Sequence, residues 1–330
     1  MKRAIFFLDV VAALGAGAQT RTQTVLLAKG WNAVWLEVAP QEGSPDSLFE
    51  GKPVDIVAGY TLPVSEAQFA KSTAVNVQTL AGWTVWYAPR RADAPLSRLG
   101  RLTGNKGYLI HALEPVTLEI RGEVLMADVR WTPDCYNLVG FSVQTPGGPT
   151  FKQFFRGSPA HNHNKIYRLV NGTWRQVLAP DAEAMRAGEA FWIYCDGPSD
   201  YPGPLQVLTS AKLGLHLTET GTSNLSFLNR ADHPLAFTLE QVTAGNSDVP
   251  MSALLTVFKD DVVGQAGPAP VDFPAGAWTQ EFPAYDAGAG VTLPLALRPQ
   301  GLAKGTYTSL LKVVTDLGSV TYVPVTALKE

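Results

Sequence analysis

Two stretches of this chain match one another in order and spacing, and a unit written twice restricts the possible fold more than any other feature. Trp31-Asn32-Ala33-Val34-Trp35-Leu36-Glu37-Val38 parallels Tyr136-Asn137-Leu138-Val139-Gly140-Phe141-Ser142-Val143. Leu48-Phe49-Glu50-Gly51 parallels Phe154-Phe155-Arg156-Gly157, and Gly107-Tyr108-Leu109-Ile110 parallels Ala190-Phe191-Trp192-Ile193. Asn32 and Phe49 stand 17 positions apart, and Asn137 and Phe155 stand 18 apart. Duplication of an aromatic module points to scaffold and surface rather than to a single active centre.

Within each copy the local signals follow one plan. Ala33–Val38 is rich in β-branched and aromatic residues and stops at Pro40, which reads as a strand. Ser44-Pro45-Asp46-Ser47-Leu48-Phe49 starts a short helix, with Ser44 as cap and Pro45 in the first turn, and 149–155 is its counterpart. A middle strand follows, Trp83–Tyr87 in the first copy and Lys165–Leu169 in the second. Asn171-Gly172 favours a type I′ hairpin turn. Turns at Thr103-Gly104-Asn105 and Ala187-Gly188-Glu189 precede the aromatic strands, and each copy closes on an apolar strand, Val116–Ile120 or Leu205–Leu208. Matching Trp86 with Tyr167 leaves the first copy about 24 residues longer, which places an insertion within Gly59–Gly82 and a short helix at Ser65–Ala70. Insertions of this kind become loops on one face and are candidates for partner contact.

After Ser210 the pattern changes to short strands separated by turns: 213–217, 224–229, 235–241, 254–258, 279–282, 290–297, 306–315 and 319–325. That spacing implies a β-sandwich. The expected fold class is therefore mainly β, with two tandem aromatic-rich β-modules bearing short helices (19–126 and 127–210) and a C-terminal sandwich (211–330). Charged residues make up 17% of the chain, against 30 Gly and 24 Pro among 330 residues, which suits strands and turns better than long helices. At 46% hydrophobic the chain can build cores and is not disordered. A net charge of −3 implies no basic face, so nucleic acid is excluded as the expected partner.

Residues 1–18 read as a signal peptide. Lys2 and Arg3 precede a mostly apolar run from Ile5 to Leu14, and Ala16-Gly17-Ala18 offers a cleavage site before Gln19. The run is too short to span a bilayer, and no other segment is apolar enough, so the mature chain is expected to carry no transmembrane segment. Lys2-Arg3-Ala4 followed by Ile5-Phe6-Phe7-Leu8-Asp9 also resembles a type IV pilin-like leader, with Asp9 for the usual Glu and Ala4 for the usual Gly. The simple secretion signal is preferred, and both leaders place the protein outside the cytoplasm, in the medium or at the cell surface. In that setting Cys135 and Cys195, at the first and last strands of the second copy, are expected to form one disulfide. It would contribute about 4 kcal/mol by loop closure.

Two resemblances follow from these residues. Asn224-Leu225-Ser226-Phe227-Leu228-Asn229 with Asp232-His233-Pro234-Leu235, and Gly305-Thr306-Tyr307 at a strand entry, resemble immunoglobulin-like or fibronectin-like modules of bacterial surface proteins. The Gly30-Trp31-Asn32 element, its apolar strand and Pro40 resemble a module of exported bacterial proteins. Both imply an extracellular spacer or display role, and neither brings catalytic residues.

His161-Asn162-His163 is the metal candidate, since imidazoles two apart on an extended segment point to one side. The ordinary alternative is a polar loop. Asp260-Asp261 and Asp46 are the carboxylates nearest to an acid–base pattern, but adjacent carboxylates at a strand end are ordinary when solvated. No nucleophile elbow, P-loop or dinucleotide fingerprint occurs, so no enzyme activity and no cofactor are expected. Trp83, Trp86 and Tyr87 are the carbohydrate-binding candidates, as part of an aromatic crowd in a chain with 8 Trp. Core packing competes with that role, because the matching positions of the second copy are also large and apolar. The expected function is a non-enzymatic structural or assembly subunit or adhesin with protein partners or self-association, and polysaccharide binding is the alternative.

Overall fold

The computed structural model describes residues 19–61, 69, 82–126, 129–162, 165–211, 213–242, 248–258 and 266–330. The expected leader, His163, Asp260-Asp261 and most of the insertion lie outside them. The described chain is mainly β, in sheets that are antiparallel except where Leu215–Thr218 runs parallel to Val320–Lys329, with short helices.

The first segment runs through Thr20–Leu27 (β1), Gly30–Leu36 (β2), Val38–Pro40 (β3), the one-turn helix Pro45–Leu48 (α1), Val54–Tyr60 (β4), Trp83–Tyr87 (β5), Lys106–Ala112 (β6) and Val116–Val124 (β7). A four-stranded sheet has the order β2-β6-β4-β5, and a three-stranded sheet the order β1-β7-β3. Strands β1 and β7 alternate polar-out and apolar-in, so Val25, Leu27, Leu118 and Ile120 face a core shared with Val34, Leu36, Val57, Trp86 and Ile110 of the larger sheet. Strand β4 does not alternate because both of its faces are covered: Val57 enters this core, while Ile56 and Ala58 enter the one beyond. Gln23 is buried and fully paired. Its Nε2 donates to Trp35 O at 2.8 Å and its Oε1 accepts from Glu37 N at 2.9 Å, tying β1 to the corner between β2 and β3.

The second segment contributes Cys135–Val139 (β8), the helix Phe151–Phe155 (α2), Ile166–Val170 (β9), Thr173–Gln176 (β10) and Phe191–Cys195 (β11), in a sheet ordered β10-β9-β11-β8. Helix α2 starts at a complete capping box, with Thr150 Oγ1 accepting from Gln153 N at 3.2 Å and Gln153 Oε1 accepting from Thr150 N at 2.8 Å. Its three phenylalanines, at i, i+3 and i+4, are buried.

Both four-stranded sheets place their strands alike, counting only the strands of that sheet in chain order: the first at one edge, the last beside it, then the second, then the third. This order sets Val54–Tyr60 against Ile166–Val170 and Trp83–Tyr87 against Thr173–Gln176. The sequence match of Trp83–Tyr87 with Lys165–Leu169 is therefore one strand out of step. Period-two aromatic strands look alike, and only the hydrogen-bonded neighbour distinguishes an edge from an interior place. The surplus chain of the first segment is the 61–82 connection, which stands where the second segment has the two-residue turn Asn171-Gly172. Both turn residues have positive φ, +50° and +75°, as a type I′ turn requires.

The closing strands behave differently from each other. Strand β7 pairs with β1 and β3, whereas Leu205–Thr209 (β12) pairs with Thr222–Asn229 and belongs to the C-terminal sandwich. The sandwich thus starts before residue 211. After β12 come Leu215–Thr218 (β13), Thr222–Asn229 (β14), Leu235–Val242 (β15), Met251–Phe258 (β16), Ala266–Phe273 (β17), Trp278–Tyr285 (β18), Gly290–Leu297 (β19), Gly305–Thr315 (β20) and Val320–Lys329 (β21). They form two five-stranded sheets, β12-β14-β19-β16-β17 and β13-β21-β20-β15-β18. Alternating residues of both sheets meet in one sandwich core, where Phe237 stacks on Phe282 at 4.6 Å and lies 4.5 Å from Phe227. Strand β17 has no counterpart in the sequence reading because Gly267, Pro268 and Pro270 argue against a strand.

The three units are bonded to one another at every seam. Trp35 N donates to Gly188 O at 2.9 Å and Ala190 N to Ala33 O at 3.1 Å, joining the two aromatic sheets. Val320 N donates to Ser142 O at 2.9 Å and Gln144 N to Gly318 O at 2.8 Å, joining the second sheet to the sandwich. Gln19 Nε2 donates to Val325 O at 2.7 Å, joining the first segment to the sandwich. Two glycines permit this closeness. A Cβ on Gly140 would lie 2.5 Å from Trp35, and one on Gly157 would lie 2.0 Å from Arg230 O. Among the described residues, no helix is long and apolar enough to cross a membrane.

Candidate functional site

The structure does not assemble the aromatic platform expected at Trp83, Trp86 and Tyr87. Alternation along β5 sends Trp86 and Tyr87 to opposite faces, where they are 4% and 6% exposed. Trp86 packs on Phe49 at 5.5 Å and donates through Nε1 to Asp46 Oδ1 at 2.8 Å, which gives Asp46 a structural partner. Tyr87 lies in the core between the two aromatic sheets, under the Arg91 guanidinium at 5.7 Å. Only Trp83 stays half-exposed, against Tyr60 at 4.9 Å and Trp192 at 6.5 Å. From the inserted connection, Phe69 is also buried, stacked on Tyr136 at 4.1 Å and near Tyr167 at 4.6 Å. At this residue the insertion packs inward rather than presenting itself to a partner.

The disulfide is likewise not formed. Cys135 and Cys195 face each other across β8 and β11, yet both are free thiols. The Cys195 thiol turns to donate to Gly197 O at 3.2 Å. Burial, then Asp134, Asp196 and Cys135, push it up to about 11, so it stays protonated at neutral pH.

His161 is a core histidine. It is 4% exposed, packs on Trp131 at 4.0 Å and Phe155 at 5.0 Å, and its Nδ1 lies 2.7 Å from Ser158 Oγ. Burial pulls it down to about 4. Among the described residues, no three His, Cys, Asp or Glu side chains are grouped to hold a metal ion, and His163 lies outside those residues. The aromatic wall around His161 is what the sequence pattern could not reveal, because Trp131 and Tyr201, far from it in the chain, join Phe155 there.

Two features escaped sequence reasoning. One is a chain of charges at the end of the first aromatic sheet. Buried Asp55 holds His111 Nδ1 at 2.5 Å on one oxygen and Arg91 at 2.6 Å on the other, and Arg91 also pairs with Asp93 at 2.7 Å. This fixes a half-exposed imidazole, edge-on to Trp31 at 5.1 Å. The available signal was an aspartate inside the apolar run Val54–Ala58, which obliges a buried partner.

The other feature is a cleft of about 710 Å³ where the first segment, the second sheet and the sandwich meet. Its lining includes Arg21, Tyr60, Lys106, Arg130, Leu205 and Tyr322. Buried Glu37 sits among them, paired with Arg21 and accepting from Ser142 Oγ at 2.7 Å. The Arg21 guanidinium lies over the Tyr322 ring at 4.4 Å. Lys106 follows the Gly104-Asn105 turn, which presses against β3: a Cβ on Gly104 would stand 2.6 Å from Ala39 N. Burial pulls the Lys106 amine below its ordinary range. Residues so distant in sequence carry no joint signal.

No family model matches the chain. No curated protein matches it either. Among solved structures, the ASH/PapD-like domain of human CEP192 (PapD-like domain 7) is similar at 11% identity and a TM-score of 0.22, over 38% of this chain and 85% of that one. Escherichia coli alpha-2-macroglobulin activated by porcine elastase is similar at 8% identity and a TM-score of 0.21, over 94% of this chain and 33% of that one. The chain therefore spans about a third of the macroglobulin's length. Likenesses this weak add nothing to the function.

Proposed function

We propose that this chain is an exported, non-enzymatic structural or adhesive component of a cell surface. The observation that carries this is the cross-bonding of three β units into one body, with main-chain hydrogen bonds at the two sheet seams and the buried Gln19 amide at the third. A body without a loose joint suits display and load transfer. The shared strand order of the two aromatic sheets supports a unit written twice, and a duplicated scaffold fits the same role. The leader sequence supports export. On secretion the mature chain is expected to begin at Gln19, and mass spectrometry of the exported protein checks this. Light scattering on the mature protein tests self-association: rising mass with concentration supports an assembly subunit, and a strict monomer at high concentration contradicts one.

Polysaccharide binding is the second reading. With Trp86 and Tyr87 buried, the cleft between the units favours it, since 710 Å³ lies within the usual range for ligand sites. A glycan array without hits removes it.

A further inference from the structure

We infer that the cleft between the three units binds a short oligosaccharide bearing carboxylates. This rests on the polysaccharide reading and adds the charge of the ligand. Three cationic side chains, Arg21, Lys106 and Arg130, line the cleft, and Glu37 is the carboxylate among its lining residues. In a chain of net charge −3 that is a local positive excess. Glu37 is already engaged by Arg21 and Ser142.

The cations are left short of acceptors. Lys106 has no carboxylate within ion-pair distance among the described residues, and its amine lies 5.7 Å from the Tyr108 ring. Arg21 Nε is buried and has no hydrogen-bond acceptor. Arg21 already has Glu37 as its counter-charge and lacks an acceptor at Nε alone, so Lys106 is the cation without a counter-charge, and an entering carboxylate relieves the cost of its partial desolvation. The cavity exceeds what a lone anion fills. Its wall interleaves aromatic side chains, Tyr60 and Tyr322, with hydroxyl and amide side chains, Thr132, Thr321 and Asn105. Ring faces suit the apolar side of a pyranose, and the polar groups suit its hydroxyls.

Titration calorimetry on the mature protein at low salt compares trigalacturonate, neutral galactotriose and tri-glutamate. Trigalacturonate is expected to bind, with neutral trisaccharide and peptide at least about tenfold weaker. Lys106→Gln is expected to weaken trigalacturonate about tenfold without moving the melting temperature, Lys106→Arg to retain binding, and added salt to weaken it. Arg130→Gln, on an exposed side chain, gives a second charge removal that does not threaten the fold. Equal binding of galactotriose overturns the charge inference while polysaccharide binding stands. Equal binding of tri-glutamate overturns the sugar. No binding of any probe overturns both, whereas a Lys106→Gln variant that binds trigalacturonate as tightly as before overturns the charge inference alone.

Discussion

Glu37 has its carboxylate almost out of water, held by the Arg21 guanidinium and the Ser142 hydroxyl. Removing it leaves Arg21 mostly buried and unpaired, which costs more than the pair itself contributes. Glu37→Ala is expected to destabilise by about 3 kcal/mol, seen as a lower urea midpoint at unchanged slope. His161 gives a pH signature. Its folded value, about 4, lies below the ordinary 6.5, so the unfolded chain binds the proton first on acidification. The associated stability is complete above pH 6.5 and is lost as pH falls toward 4. The loss amounts to about 3 kcal/mol, and His161→Phe is expected to abolish that part of the acid dependence in denaturation curves. At this scale the sequence was readable where one side chain settles the matter. The Asn171-Gly172 turn and the Thr150 cap are such places. It was not readable where partners come from afar, as at Asp55 with His111 or Arg21 with Glu37.

Elements meet closely where a side chain is absent. Gly140 lies against Trp35 at the seam of the two aromatic sheets, and a Cβ there has no room. Gly140→Ala is expected to cost about 2 kcal/mol through overpacking, read from chemical denaturation, with Gly100→Ala costing less because open space surrounds it and its backbone is not left-handed. Strand propensity and alternation made most elements visible in advance, including β14, β15, β19 and β20. They could not say which sheet a strand joins. Leu205–Thr209 has the same period-two pattern in either sheet, and hydrogen bonding places it in the sandwich. Strand β17 shows the reverse: its prolines spoke against a strand, yet it is the outer strand of its sheet, where a missing N–H is tolerated.

Across the whole molecule, composition was enough for the β class and turn spacing for the sandwich. The cleft arises only when three units close on one another, so no local signal announces it. The proposed role requires those units to behave as one body. Differential scanning calorimetry of the mature protein tests this most directly. Seams bonded at Ala33–Ala190, Ser142–Val320 and Gln19–Val325 predict a single endotherm whose calorimetric and van't Hoff enthalpies agree. Two or more resolved endotherms, with the sandwich melting apart from the aromatic sheets, would contradict it.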